Sequence, residues 1–304
     1  MFRIRIQNKK KCIWYCSAVV SFLLFLLLLG WTNHLANTQD AQQMAGRWSE
    51  KKDVAQISCF FSSKAEVTED TIQSFEYSLK NVLQEASITE TSENPSARLW
   101  VDAYSADGKI TLVNGKNTLD ANAIGIGGDF FMFHPLKLIT GAYFSGNDLM
   151  QDYCIIDQDA AWQLFGSNDV VGMTVYIGNV PHIITGVVQR PDSRMDKAAG
   201  LNSTVVYVSY ETLSAYGTNN GINHYEIVMP NPVDEFAYGK VKDGIGIDEK
   251  NVEIVENSRR YSLPNRIKTI LAFGTRSMNG KAIIYPYWEN LARGYEDIIA
   301  LLTV

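Results

Sequence analysis

The run Cys12–Trp31, CIWYCSAVVSFLLFLLLLGW, carries no charged residue and no proline. At ~1.5 Å of rise per residue, a helix of this length spans the ~30 Å hydrocarbon core of a bilayer. Trp14 and Tyr15 stand at one end and Trp31 at the other, where amphipathic rings suit the membrane–water interfaces. A cleaved secretory signal is the competing reading. The run is longer than the ~7–15 apolar residues of a signal core, and Leu35-Ala36-Asn37 and Met44-Ala45-Gly46 are weak cleavage candidates. We read it as an uncleaved anchor. Arg3, Arg5, Lys9, Lys10 and Lys11 all precede it, so residues 1–11 are expected to stay in the cytoplasm and Thr32 onward to lie outside.

A chain charge of −6 with five positive and no negative side chains before residue 32 leaves −11 on the rest. A domain that acidic is a poor partner for nucleic acid. Four cysteines are present, and Cys59 and Cys154 lie beyond the anchor, each in an apolar run. They read as buried thiols, with a disulfide left open because the pattern supplies no Cβ geometry.

Residues 33–50 predict a helix continuing out of the membrane as a stalk. Asp53–Phe61 alternates as a strand. Thr68 caps a helix to about Ala86 whose Ile72, Phe75, Leu79 and Val82 form a core stripe. Thr89–Pro95 is a loop and Arg98–Tyr104 a second strand, the strand–helix–strand order of an α/β layer. Ala106-Asp107-Gly108 and Asn114–Asn117 predict turns. Ala121–Gly127 predicts a strand. Gly125–Gly128 lacks the GxGxxG spacing, and Gly115-Lys116-Asn117-Thr118 lacks the upstream glycine of a phosphate loop, so both read as turns.

Further on, Tyr153–Ile156 is a strand, Asp157 caps a helix over Gln158–Phe165, and Gly166 ends it. Strands Met173–Ile177 and His182–Val188 flank a Gly178-Asn179 hairpin turn, with Pro181 before the second strand. Thr204–Ser209, Tyr225–Met229 and Val252–Glu256 are strands. Tyr210–Tyr216, Val233–Asp243 and Pro264 to about Phe273 are helices. Tyr287–Val304 is a helix with Trp288, Leu291, Tyr295, Ile298 and Leu302 on one face.

Residues 141–188 resemble the periplasmic core domain of MacB-like and FtsX-like ABC transporter permeases. The resemblance rests on Gly141, Phe144, Asp148, Ile155-Ile156-Asp157, Ala160-Ala161, Leu164-Phe165-Gly166, Val171-Gly172, Val175-Tyr176-Ile177 and Thr185-Gly186-Val187-Val188. It implies an α+β fold: an N-terminal transmembrane helix, then an extracytoplasmic Porter-like α/β layer with a β-rich, Sabre-like insertion. The implied segments are a basic tail 1–11, anchor 12–31, stalk 32–52, α/β layer 53–104 and 200–262, insertion 105–199, and return helices 263–304. The last of these reads as leading to a second membrane helix cut short, so the chain reads as a fragment or a truncated relative. It further implies a lipid bilayer, a separate ABC ATPase subunit, and another permease chain or the remaining permease segments as partners, with the bulk of the chain outside the bacterial cytoplasmic membrane.

No chemistry competes with this reading. His34, His134, His182 and His224 show no HExxH or paired spacing, and no GxSxG elbow or full Walker A is present. Asn202-Ser203-Thr204 fits a glycosylation sequon and reads as unused. No catalytic, cofactor or metal residue is assigned, no cofactor is expected, and the chain does not read as an enzyme. The function read is the anchor and outer portion of such a permease, coupling a cytoplasmic ATPase to export or to an extracytoplasmic partner. A single-pass anchored binding or scaffold module is the alternative, and an anchored hydrolase ranks last.

Overall fold

A computed structural model describes residues 9–49, 53–89, 98–275 and 281–303. Arg3, Arg5 and most of the Thr89–Pro95 loop lie outside the described residues. The helices and strands in chain order are α1 (Lys9–Asn37), α2 (Met44–Trp48), β1 (Val54–Phe61), α3 (Glu69–Glu85), β2 (Val101–Asn114), β3 (Asn117–Gly128), α4 (Phe130–Phe133), β4 (Lys137–Gly141), β5 (Tyr153–Asp157), α5 (Gln158–Phe165), β6 (Thr174–Ile177), β7 (Val180–Gln189), α6 (Arg194–Ala199), β8 (Val205–Ser209), α7 (Tyr210–Tyr216), β9 (Thr218–Asn219), β10 (His224–Pro230), α8 (Phe236–Gly244), β11 (Val252–Glu256), α9 (Leu263–Leu271) and α10 (Tyr287–Thr303). Among the described residues, one helix is long and apolar enough to cross a membrane, at Lys11–Asn37, and none of its most apolar stretch is buried by the rest of the chain.

The strands form one mixed sheet in the order β11-β1-β10-β2-β3-β8-β5-β7-β4. Its first half is a split β–α–β pair. β1 and β2 are joined through α3, β10 and β11 through α8, and β10 lies between β1 and β2, antiparallel to both. In its second half the pairings run β2–β3–β8–β5–β7–β6 and return to β2. That end closes on its own core, which includes Leu112, Ile156, Leu164, Val175, Val206 and Leu213. The expected boundary at 104/105 falls inside β2, and β8 pairs with β3 and β5, so 205–209 sits with the closed half.

Local chemistry explains the best-matched elements. Asp157 Oδ1 accepts the Ala160 N–H at 2.8 Å, and Gly166 closes α5 at φ +72°. Gly178 and Asn179 both take positive φ in the two-residue turn between β6 and β7. Cys59 and Cys154 are buried free thiols. Burial pushes both upward, Cys154 to about 12, which makes them poor nucleophiles.

Five expectations need correction. The stalk is not a continuous helix. α1 stops at Asn37, where the Thr38 hydroxyl donates back to Leu35 O at 2.8 Å, and the chain folds over to place α2 on β1. Ala106–Gly108 is strand, not turn: β2 runs straight through, and a Cβ on Gly108 would strike the Thr218 carbonyl and Leu213. Gly125–Gly128 is strand rather than turn, continuous with the strand predicted over 121–127, and Gly125 and Gly127 lack side chains where Leu213 and the Tyr104 ring press on them. On α3 the buried fourth position is Leu83, not Val82. On α10 the buried residues are Trp288, Glu289, Ala292, Ile299 and Ala300, a face rotated from the expected stripe so that a carboxylate enters the interior.

One pair on the α3 side of the sheet responds to pH. Glu76 hydrogen-bonds Asp102, which also accepts from the Tyr225 hydroxyl at 2.8 Å. Burial first, and the Asp102 charge second, raise Glu76 to about 8. The folded state therefore holds a proton that the unfolded chain loses near pH 4.5. Its contribution is full below that pH and is lost as pH rises through about 8. Glu76→Gln is expected to flatten this decline. Because Glu76 is only half-buried, the gain at pH 9 relative to pH 5 is held to about 1 kcal/mol, or ~2–4 °C in melting temperature. Melting curves at the two pH values check this, and an unchanged pH dependence in the variant would count against the pair.

Candidate functional site

Strand alternation builds the site. In β1, Ala55, Ile57, Cys59 and Phe61 face the core under α3 and α8, and in β10 so do Tyr225, Ile227 and Met229. The opposite face then receives Gln56, Ser58 and Phe60 from β1 and His224, Glu226 and Val228 from β10. Ser58 lies directly across from Glu226, and Ser105 of β2 across from His224. This polar row is fully buried. Burial of that kind is tolerated only where the polar groups find partners.

The covering elements are those at the two ends of the chain. Gln56 holds the segment after α1: its side-chain N–H donates to Ala41 O at 2.6 Å and its Oε1 accepts the Met44 N–H at 2.9 Å. Arg47 of α2 donates to the Met132 carbonyl at 2.7 Å, tying α2 to α4. From the other side Trp288 of α10 closes down, its ring 4.2 Å from that of His134 and 5.1 Å from that of His224.

A second cluster clamps α10 to the turn after β11. Arg260 donates two bonds to Glu289, at 2.6 and 2.8 Å, and two to Glu296, at 2.8 and 3.4 Å. Arg293 adds a bond to Glu289 at 2.7 Å and lies over the Tyr285 ring at 3.8 Å. Arg260 and Glu289 are both almost wholly buried. Burial alone would raise Glu289, but Arg260 and then Arg293 hold it below the usual carboxylate range. A third contact fastens α9 to the C-terminal end of α1: Arg266 donates to Thr32 Oγ1 at 3.0 Å and Asn33 Oδ1 at 2.9 Å. α10 packs on both α1 and α9. A polar cleft of about 760 Å³ opens beside these contacts, lined by Asn33, Gln43, Asn257 and Arg266 among others.

The histidines separate here. His34 is exposed on α1. His182 is buried with both ring nitrogens engaged, by Val180 O at 3.0 Å and Thr212 Oγ1 at 3.1 Å. His134 and His224 come together around Glu226, although 90 positions part them in the chain. Spacing could not reveal that meeting. Two signals were available: His224 and Glu226 on one face of an alternating strand, and Glu289 at an apolar position of α10.

A sequence model of the MacB-like periplasmic core domain matches residues 21–256. The chain belongs to that family. Curated relatives include the macrolide export ATP-binding/permease proteins MacB of Chromobacterium violaceum, 31% identical over 32% of this chain and 15% of that protein, and of Pasteurella multocida, 31% identical over 32% and 14%. A third, from Shewanella sp., is 32% identical over 38% of this chain and 18% of the relative. The chain thus matches under a fifth of the length of each of these relatives. Among solved structures, the periplasmic region of MacB from Actinobacillus actinomycetemcomitans aligns with TM-score 0.43 and 18% identity, covering 74% of this chain and 94% of that one. The extracellular domain of the transporter YknZ from Gram-positive bacteria gives 0.41 and 18%, covering 66% and 99%. The membership rests on the sequence match. It makes this region a periplasmic core domain of a MacB-like ABC transporter permease, distinct from the ATPase, with one N-terminal helix among the described residues fit to cross a membrane.

Proposed function

We propose that this chain supplies the anchor and outer domain through which a cytoplasmic ATPase moves an extracytoplasmic partner or substrate. The observation that carries the reading is the clamp just described. α1 and α10 flank the domain in sequence, pack on one another, and are each fixed to it by buried charged or polar contacts. A displacement of either helix is then passed to the sheet rather than absorbed in a loose joint. The split β–α–β half would correspond to the Porter-like layer and the closed half to the Sabre-like insertion. The basic residues before the apolar run of α1 support an N-terminus in the cytoplasm and a domain outside.

Two experiments test this. A Lys116→Cys variant, at the exposed β2–β3 turn, is expected to react with a membrane-impermeant maleimide in cells whose outer barrier alone has been opened. Protection until the inner membrane is lysed would reverse the orientation. Affinity purification from native membranes is expected to bring along an ATP-binding subunit in near-equal amount, with ATPase activity. A chain that emerges without one would replace the coupling role by the anchored scaffold module.

A further inference from the structure

We infer that His134, His224 and Glu226 form a binding site for a divalent transition-metal ion, zinc being the best fit. Their ligand atoms all lie within 4.8 Å of one another, and this is the one such group of three among the described residues. His134 Nε2 lies 2.9 Å from Glu226 Oε2, and His224 Nε2 lies 3.4 Å from Oε1. A tetrahedral zinc ~2.0–2.1 Å from each donor holds its donors ~3.3–3.4 Å apart. Small side-chain shifts therefore suffice to seat the ion.

The second observation is that these atoms meet in close ion-pair contacts that lack hydrogen-bond alignment. His134 Nε2, His224 Nε2 and Glu226 Oε2 are all sealed from solvent, and none makes an aligned hydrogen bond. Three buried polar atoms gathered within 4.8 Å of one another and left without aligned hydrogen bonds are what a missing ligand leaves. Two imidazoles and one carboxylate are a borderline-soft set that suits zinc better than calcium or magnesium.

The surroundings support two of the three ligands, while His134 Nδ1 has no hydrogen-bond partner among the described residues. Glu226 Oε1 accepts the Ser58 hydroxyl at 2.5 Å, and Ser58 in turn accepts from Asn257 Nδ2 at 2.7 Å. His224 Nδ1 faces Ser105 Oγ at 3.3 Å. Contacts of this kind fix the orientation of ligating side chains. The Trp288 indole covers the site and offers no lone pair, so a water would take the fourth position. The ion would pin the turn after α4 to β10 beneath α10, a structural role independent of any transport activity.

The test uses the full chain purified in detergent, stripped with chelator, desalted, and titrated separately with zinc and cobalt. The expected result is about one zinc per chain retained through desalting. Cobalt should give the visible d–d absorption of a tetrahedral site, and zinc should raise the melting temperature of the stripped wild type. His134→Gln should abolish the cobalt band, and Ser58→Ala should weaken zinc binding about 10-fold. Because the wild-type melt compares one folded protein with and without metal, it stands even if a ligand variant fails to fold. Retention below about a tenth of an equivalent, with no cobalt band, would overturn the site. So would binding that persists undiminished in His134→Gln, which would place the ion elsewhere.

Discussion

Glu289→Ala is expected to lower the stability of the purified chain by about 3–5 kcal/mol, on the order of 10 °C in melting temperature. The loss comes less from the missing bonds than from what stays behind. Arg260 keeps its charge in the interior with only Glu296 to balance it, and Arg293 loses its carboxylate partner. The companion Arg260→Leu/Glu289→Leu double variant removes the fully buried pair together and should cost less than either single change, because the ions that lose a partner, Arg293 and Glu296, both reach solvent. pH gives an independent reading. Glu289 is held below its unfolded value, so its contribution is complete above about pH 4.5 and is lost as pH falls through the depressed folded value. Acid should therefore release α10 in the wild type, and the double variant should be indifferent to that range. Chemical denaturation of the wild type, Arg260→Leu, Glu289→Leu and the double variant at pH 7 and pH 4 measures all of this. Strict additivity of the two single effects would mean that Arg260 and Glu289 do not act as a pair.

Asp157→Ala is expected to cost about 2–4 kcal/mol and to loosen the closed half of the sheet first. One carboxylate serves three elements there. Oδ1 caps α5, while Oδ2 accepts the Val205 N–H at 3.0 Å and the Arg190 guanidinium at 2.6 Å. Alanine leaves the N–H of β8 buried without a partner and frees the α5 terminus. Asp157→Asn keeps an acceptor for the cap but loses the charge opposite Arg190, so it should fall between alanine and wild type. Hydrogen exchange at β5, β7 and β8 locates the effect. Faster exchange confined to α3 and α8 would show that Asp157 does not hold this half together.

The contrast between these two sites shows what the sequence could say. Asp157, Gly166 and the Gly178-Asn179 pair act within a few residues of themselves, so capping and turn chemistry disclose them, and α5 begins and ends where that chemistry puts it. The Arg190 and Val205 bonds to the same aspartate are long-range and could not be read. Asp107-Gly108 and Gly125–Gly128 misled for a related reason. Glycine marks a close approach of backbone as readily as a turn, and here Leu213, Thr218 and Tyr104 arrive from distant segments. The stalk failed because Gln56, on a later strand, captures Ala41 and Met44 and ends the helical run. Arg260, Glu289 and Arg266 were invisible as a clamp, since ordinary surface charge and buried ion pairs look alike until the helices meet.

The most direct test of coupling is a distance measured in the working assembly. Spin labels at Leu27 on α1 and Leu301 on α10, both exposed, would be followed by pulsed EPR in nanodiscs containing the co-purified ATP-binding subunit. If the two helices are the arms by which nucleotide moves the domain, ATP should shift a narrow distance distribution by about 2–5 Å, the scale of packed-helix displacement. A distribution that stays identical with and without ATP, in an assembly that is hydrolysing it, would contradict the account.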